Sequence, residues 1–90
     1  MKRFDLGQLL ITPAAQEVLI THHITPIPLF KRHQCGDWGE VCEEDAQANH
    51  EALRTGARLM SVYRIHDTQN VWIITEADRS YSTLLLPSEY

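Results

Sequence analysis

Residues 56–75, GARLMSVYRIHDTQNVWIIT, contain the change of period that decides the fold. Before Gly56 the apolar and small residues return at helical spacing. After it they alternate, with Leu59, Val62, Tyr63 and Ile65 in one run and Val71, Trp72, Ile73 and Ile74 in the next, the pattern of two strands. Asp67, Thr68, Gln69 and Asn70 supply a polar turn between them, so the two strands read as a hairpin. Ala77, Asp78, Arg79 and Ser80 form a second turn into Tyr81–Leu86, and Pro87 stops that third strand.

Upstream, Asp37 stands three residues before Glu40, a capping-box pattern with Asp in place of Ser or Thr. It predicts a helix from Trp38 to Thr55, closed by Gly56 as the left-handed residue that commonly ends a helix. The inward stripe of this helix is Cys42, Ala46, Asn49 and Leu53, and Glu43, Glu44, Gln47, Glu51 and Arg54 lie mostly outside it. Asn49 is the polar exception, and a buried amide left unpaired costs about 1–3 kcal/mol. It is therefore expected to be buried and paired, with backbone near Gly36–Gly39 or with a strand.

Nearer the N-terminus, Phe4–Ile11 reads as a short strand. Thr12 with Pro13 is a helix start, followed by Ala14, Ala15, Val18 and Leu19 and ending near His22 and His23. Thr25 with Pro26 repeats the signal for a brief helix that places Leu29, Phe30 and His33 on one face and ends at Gly36. The order β, α, α, α, β, β, β predicts an α+β fold: an antiparallel sheet of about four strands with helices on one face. Ninety residues suffice for one domain, 1–90, and the 43% hydrophobic and 22% charged content is that of an ordinary globular chain.

The net charge of -4 is unevenly placed. Glu40, Glu43, Glu44, Asp45 and Glu51 fall within residues 40–51, which contain no Lys or Arg, whereas the flanking segments are close to balance. That acidic face disfavours nucleic acid and suits a partner with a basic surface. No apolar run is long enough to span a bilayer. The first residues meet Asp5 too early for a signal peptide, with Glu17 where a cleavage site would stand, so no membrane role and a cytoplasmic location are expected.

Chemistry-bearing residues are few. His33, Cys35, Cys42 and His50 invite a zinc reading, but six residues separate the sulfurs where paired ligands are usually two to four apart. No metal and no cofactor are expected. Cys42 is read as a small core residue and Cys35 as exposed, both reduced. His22 and His23 are read as a favourable charge at a helix end. No GxSxG, HExxH, phosphate-loop or EF-hand pattern occurs. Asp37 reads as a cap, Trp38 as an aromatic at a helix start, Asp78 as a turn residue and Arg79 as a partner of Asp78 or Glu76. As a binding surface, the set Asp37, Trp38, Glu43, Glu44, Asn49, Glu76, Asp78 and Arg79 would grip a basic protein through Trp38 with acidic rim charges. An enzyme of hydrolytic type would instead use His33 as base with Glu76 or Asp78.

The stretches GDWGEVCEEDAQAN, RLMSVY, VWIITEADRS and LLLPSEY resemble a family of short uncharacterised proteins encoded on bacterial plasmids and integrative elements. The matching positions are Gly36, Asp37, Trp38, Gly39, Glu43, Glu44, Asp45, Asn49, Glu76, Asp78 and Arg79, and no residue roles come with them. The resemblance implies genes that travel beside antirestriction and conjugation functions. By that association the expected function is an accessory protein acting by protein contact, antagonising host defence in the manner of antirestriction or anti-CRISPR proteins. DNA mimicry is disfavoured, because it needs acids arrayed over more than one helix.

Overall fold

Thr12 and Pro13 open the first helix as their chemistry predicts. In the computed structural model, which describes residues 1–90, Thr12 is extended and its Oγ1 accepts the Ala15 N–H at 3.2 Å. Pro13 occupies the first position, where an N–H would have no partner. This helix, α1, runs Pro13–Thr21 and ends at His22, whose imidazole stacks on His66 at 4.8 Å. The second helix, α2, is Ile27–Gln34 and buries Leu29, Phe30 and His33 on the face that their spacing predicts. Thr25 does not cap it; Pro26 takes the cap position and no side chain closes the end.

The third helix, α3, spans Glu43–Thr55 and closes at Gly56 with φ +84°, as expected. Its start differs from the expectation. Cys42, not Asp37, is the N-cap residue, and the chain from Trp38 to Cys42 is not helical. Asp37 is held by Arg32 and by the Gly39 N–H instead. Gly39 has φ +74°, and a Cβ there would meet the Val62 carbonyl oxygen at 2.0 Å. Only glycine can lie so close to the neighbouring strand, so the backbone pairs with that strand and cannot turn helical before Cys42.

The strands are β1 (Gln8–Ile11), β2 (Leu59–His66), β3 (Gln69–Thr75) and β4 (Tyr81–Leu85), followed by a 3₁₀ turn at Pro87–Glu89. The first turn is shorter than expected, because Gln69 and Asn70 already belong to β3. The sheet order is β1-β4-β3-β2, and it is mixed: β2–β3 and β3–β4 are antiparallel, but β1 is parallel to β4. This corrects the expectation of an antiparallel sheet. Two hairpins return β4 in the direction of β2, and three helices carry the chain from β1 across the sheet to its opposite edge. No turn joins β1 to its neighbour, so local sequence does not specify its direction. β1 also begins later than expected, since Gly7 has φ +67° and breaks the extended run.

Two apolar clusters lie between helices and sheet. The larger joins Ala15, Leu19, Leu29 and Phe30 to Tyr63, Val71, Ile73 and Leu84, and the smaller joins Trp38, Ala52 and Leu59. The strand residues in both occupy one face of the sheet, so the helices cover that face alone. No helix is long and apolar enough to cross a membrane.

Candidate functional site

Four of the five buried polar side chains, His33, Ser61, Thr75 and Ser82, form one network anchored on α2. His33 is fully buried, and both of its ring nitrogens are engaged: Nδ1 with Ser61 Oγ at 2.5 Å and Nε2 with Thr75 Oγ1 at 2.9 Å. Thr75 Oγ1 lies 2.6 Å from Ser82 Oγ, which donates to the Leu6 carbonyl at 2.8 Å. That last acceptor fixes every proton. Ser82 gives its hydrogen to Leu6, so Thr75 donates to Ser82. Thr75 must then accept from His33 Nε2–H, leaving Nδ1 to accept from Ser61. The ring is neutral and in a single tautomer. Burial, reinforced by the charge of Arg79, brings its pKa down from about 6.5 to about 3. Phe4 and Trp38 pack edge-on against the ring at 5.2 and 5.6 Å.

This chain ties α2 to β2, β3, β4 and the N-terminal segment. It contains a Ser–His pair, but none of its polar side chains is exposed, and the hydroxyls leave no ring nitrogen for Glu76 or Asp78. Ser61, Thr75 and Ser82 were not singled out from sequence. Their signal is a hydroxyl at an inward position of each strand, in step with Leu59 and Tyr63, with Val71 and Ile73, and with Leu84.

The residues read as a binding surface are dispersed by the fold. Asp37 forms a two-pronged pair with Arg32, at 2.7 and 3.3 Å, and this hydrogen bond holds its carboxyl below the usual range. The Asp37 carbonyl accepts the Tyr63 hydroxyl at 2.7 Å. Burial pushes that phenol well above its ordinary pKa, so it remains a donor. Trp38 is buried beside Ala52 and Leu59, and its indole N–H has no partner. It is a core side chain, and therefore no exposed anchor. Asn49 is buried and paired with a strand, one of the two partners expected: Nδ2 donates to the Met60 carbonyl at 2.7 Å and Oδ1 accepts the Met60 N–H at 3.0 Å. The amide thus imitates a neighbouring strand at an edge of the sheet.

At the β3–β4 turn, Asp78 accepts the Ser80 N–H at 3.0 Å, and bonds with Ser80 hold its carboxyl below the ordinary value. Arg79 does not pair with either carboxylate as expected. From a left-handed backbone, φ +62°, its guanidinium donates to the carbonyls of Ala52, Ala57, Glu76 and Ala77, binding the end of α3 to the turn. Glu76 faces Arg58 at 3.7 Å. Glu43 and Glu44 are left free to solvent in the first turn of α3. With Cys42, Gln47, Ala48 and Glu51 they line a shallow open depression along that helix.

No three His, Cys, Asp or Glu side chains stand together as metal ligands would. Cys35 and Cys42 are both free and exposed, which corrects the core placement of Cys42: as the N-cap residue it precedes the packed part of α3. In comparisons with known proteins, no family model, curated sequence or solved structure matches the chain.

Proposed function

We propose that this protein acts by protein contact and offers the outer face of α3 to a partner with a basic surface. The observation that carries the reading is the contrast between the groups the fold locks away and those it leaves open. His33, Asn49, Asp37 and Arg79 all have intramolecular partners. Glu43 and Glu44 have no such partner and, with Glu51, which pairs with Arg54, place acidic charge on one exposed face of α3. A concentrated field of one sign speeds encounter with an oppositely charged partner. The resemblance of GDWG and ITEADRS to proteins of plasmids and integrative elements directs the search for that partner to host-defence and conjugation proteins.

Glu43, Glu44 and Glu51 replaced together by Gln should leave the fold intact, because exposed charges contribute only about 0–1 kcal/mol. The wild-type chain immobilised in bacterial lysate should retain a basic protein that the triple variant releases, with a faster salt-induced loss for the wild type. Equal retention by both chains in low salt would remove the acidic face as the working surface.

A further inference from the structure

Ile74 and Leu85 are 5% and 8% exposed yet belong to neither apolar cluster under the helices. They lie on the opposite face of the sheet. Register pairs Ile74 with Met60, Val62 with Trp72, and Trp72 with Leu85, and alternation points all five away from the helices. Leu10 and Thr83, opposite one another in β1 and β4, extend the same face. The C-terminal turn covers part of it: Pro87–Glu89 packs against β3, the Tyr90 ring lies 5.3 Å from that of Trp72, and Arg58 reaches the Tyr90 hydroxyl at 3.2 Å. Ile74 and Leu85 are thus buried, while Met60, Val62 and Trp72 stay half-buried. Every helix packs its buried side chains elsewhere.

We infer that this helix-free face is where two copies of the chain meet, sheet upon sheet. Charge argues for a second copy as the occupant. The ionised groups at the margin are already paired with opposite sign, Arg58 with Glu76 at 3.7 Å and Arg64 with Glu40 at 3.2 Å. The face is thus neutral although the chain carries -4. Identical copies bring no like charges to such a seam, and a strongly charged partner finds nothing there to complement. A two-fold axis lets one patch serve both sides, and sheets packed face to face lie about 10 Å apart, room for one interdigitated layer of side chains.

Area sets the strength. Four strands spaced about 4.8 Å apart and five residues long give a flat footprint of roughly 300 Å². Two such footprints total roughly 600 Å² before side-chain relief is added, below the about 1,000 Å² of a stable specific interface. The dimer is accordingly weak and concentration-dependent.

Sedimentation of the full chain from about 5 to 500 µM tests this, with the expected mass rising from 10.4 kDa toward twice that value. Two substitutions on the face, Tyr81→Lys and Thr83→Arg, should each weaken association at least tenfold with an unchanged circular dichroism spectrum. Tyr81 is 38% exposed, and both residues lie in β4 with side chains on the helix-free face; because they stand opposite Gln8 and Leu10 of β1, the unchanged spectrum also verifies that the β1–β4 pairing survives. Ile20→Lys, at a 64% exposed position on α1, should leave the dimer intact. Raising salt should not weaken it, which separates this seam from any contact made by the acidic helix. A monomer over the whole range overturns the inference, as does a dimer indifferent to both sheet substitutions or abolished by Ile20→Lys.

Discussion

Each face of the sheet carries residues that its surroundings would not suggest. Beneath the helices lie Ser61, Thr75 and Ser82, fully buried among Leu59, Tyr63 and Ile73, whereas the helix-free face carries Met60, Val62, Trp72, Ile74 and Leu85. Under the helices, burial is cheap for aliphatic groups and costly for hydroxyls unless each finds a partner. His33 partners Ser61 and Thr75, Ser82 is held by Thr75 and the Leu6 carbonyl, and the network fixes one arrangement of α2 on the sheet. On the other face there is no such constraint, and apolar groups shield one another with help from Tyr90. The first face specifies the fold; the second is left as a surface.

The largest expected effect comes from breaking the covered face. His33→Leu fills the space but leaves the Ser61 hydroxyl without its acceptor and Thr75, which still donates to Ser82, without its donor, a cost of about 2–5 kcal/mol. Adding Ser61→Ala and Thr75→Val to that variant should recover part of the loss, because apolar groups need no partner. Urea unfolding midpoints measure both steps. A single variant as stable as wild type would mean that the network does not organise the core.

Acid probes the same ring without mutation. The folded pKa of about 3 lies below the ordinary 6.5, so the unfolded chain binds a proton that the folded chain refuses. Stability is therefore full above about pH 6.5 and falls as pH drops, at up to about 1.4 kcal/mol per pH unit. Between pH 6.5 and 4.5 the loss should be about 2 kcal/mol, before the depressed carboxyl of Asp37 begins to titrate. Unfolding curves at several pH values check it, and stability that is flat or rising toward acid would contradict a neutral buried His33.

Where one chemical rule acts on neighbouring residues, the fold is legible in sequence. Thr12 with Pro13, Gly56, and the alternation of 59–65 and 71–75 each marked an element that formed. Asn49 was legible for the same reason, as an amide out of place on an inward stripe. Long-range partners were not legible. Asp37 reads as a helix cap until Arg32 takes its carboxylate, and Trp38 reads as an anchor until Ala52 and Leu59 enclose it. The parallel placement of β1 and the proton chain through Ser61, His33, Thr75 and Ser82 depend on elements up to 76 residues apart, Leu6 to Ser82. Spacing along the chain carries no such information.

Asn49→Leu sharpens the comparison at the edge between the faces. Its amide satisfies both backbone groups of Met60, the first outward-facing position along β2. Removing it leaves two backbone groups to water that has only partial access. We expect a loss of about 1–3 kcal/mol, with faster hydrogen exchange at the Met60 amide. A neutral result would show that α3 is held to the edge by Arg79 and Ala52 alone.

The smallest effect is expected on the second face itself. Tyr90 is exposed, and its contributions are one tilted aromatic contact with Trp72 and a hydroxyl that accepts from Arg58. Such a pair is worth about 0.5–1.5 kcal/mol, and the Arg58 bond lies in water. Tyr90→Ala should therefore lower stability by no more than about 1 kcal/mol. Trp72 emission should shift to the red as water reaches its ring, while Trp38, enclosed in the second cluster, should not change. Because the substitution also enlarges the open apolar area, self-association should hold or tighten. A loss of several kcal/mol would place Ile74 and Leu85 under a true core layer built by Tyr90, and the division of the sheet into a specified face and a surface face would fail.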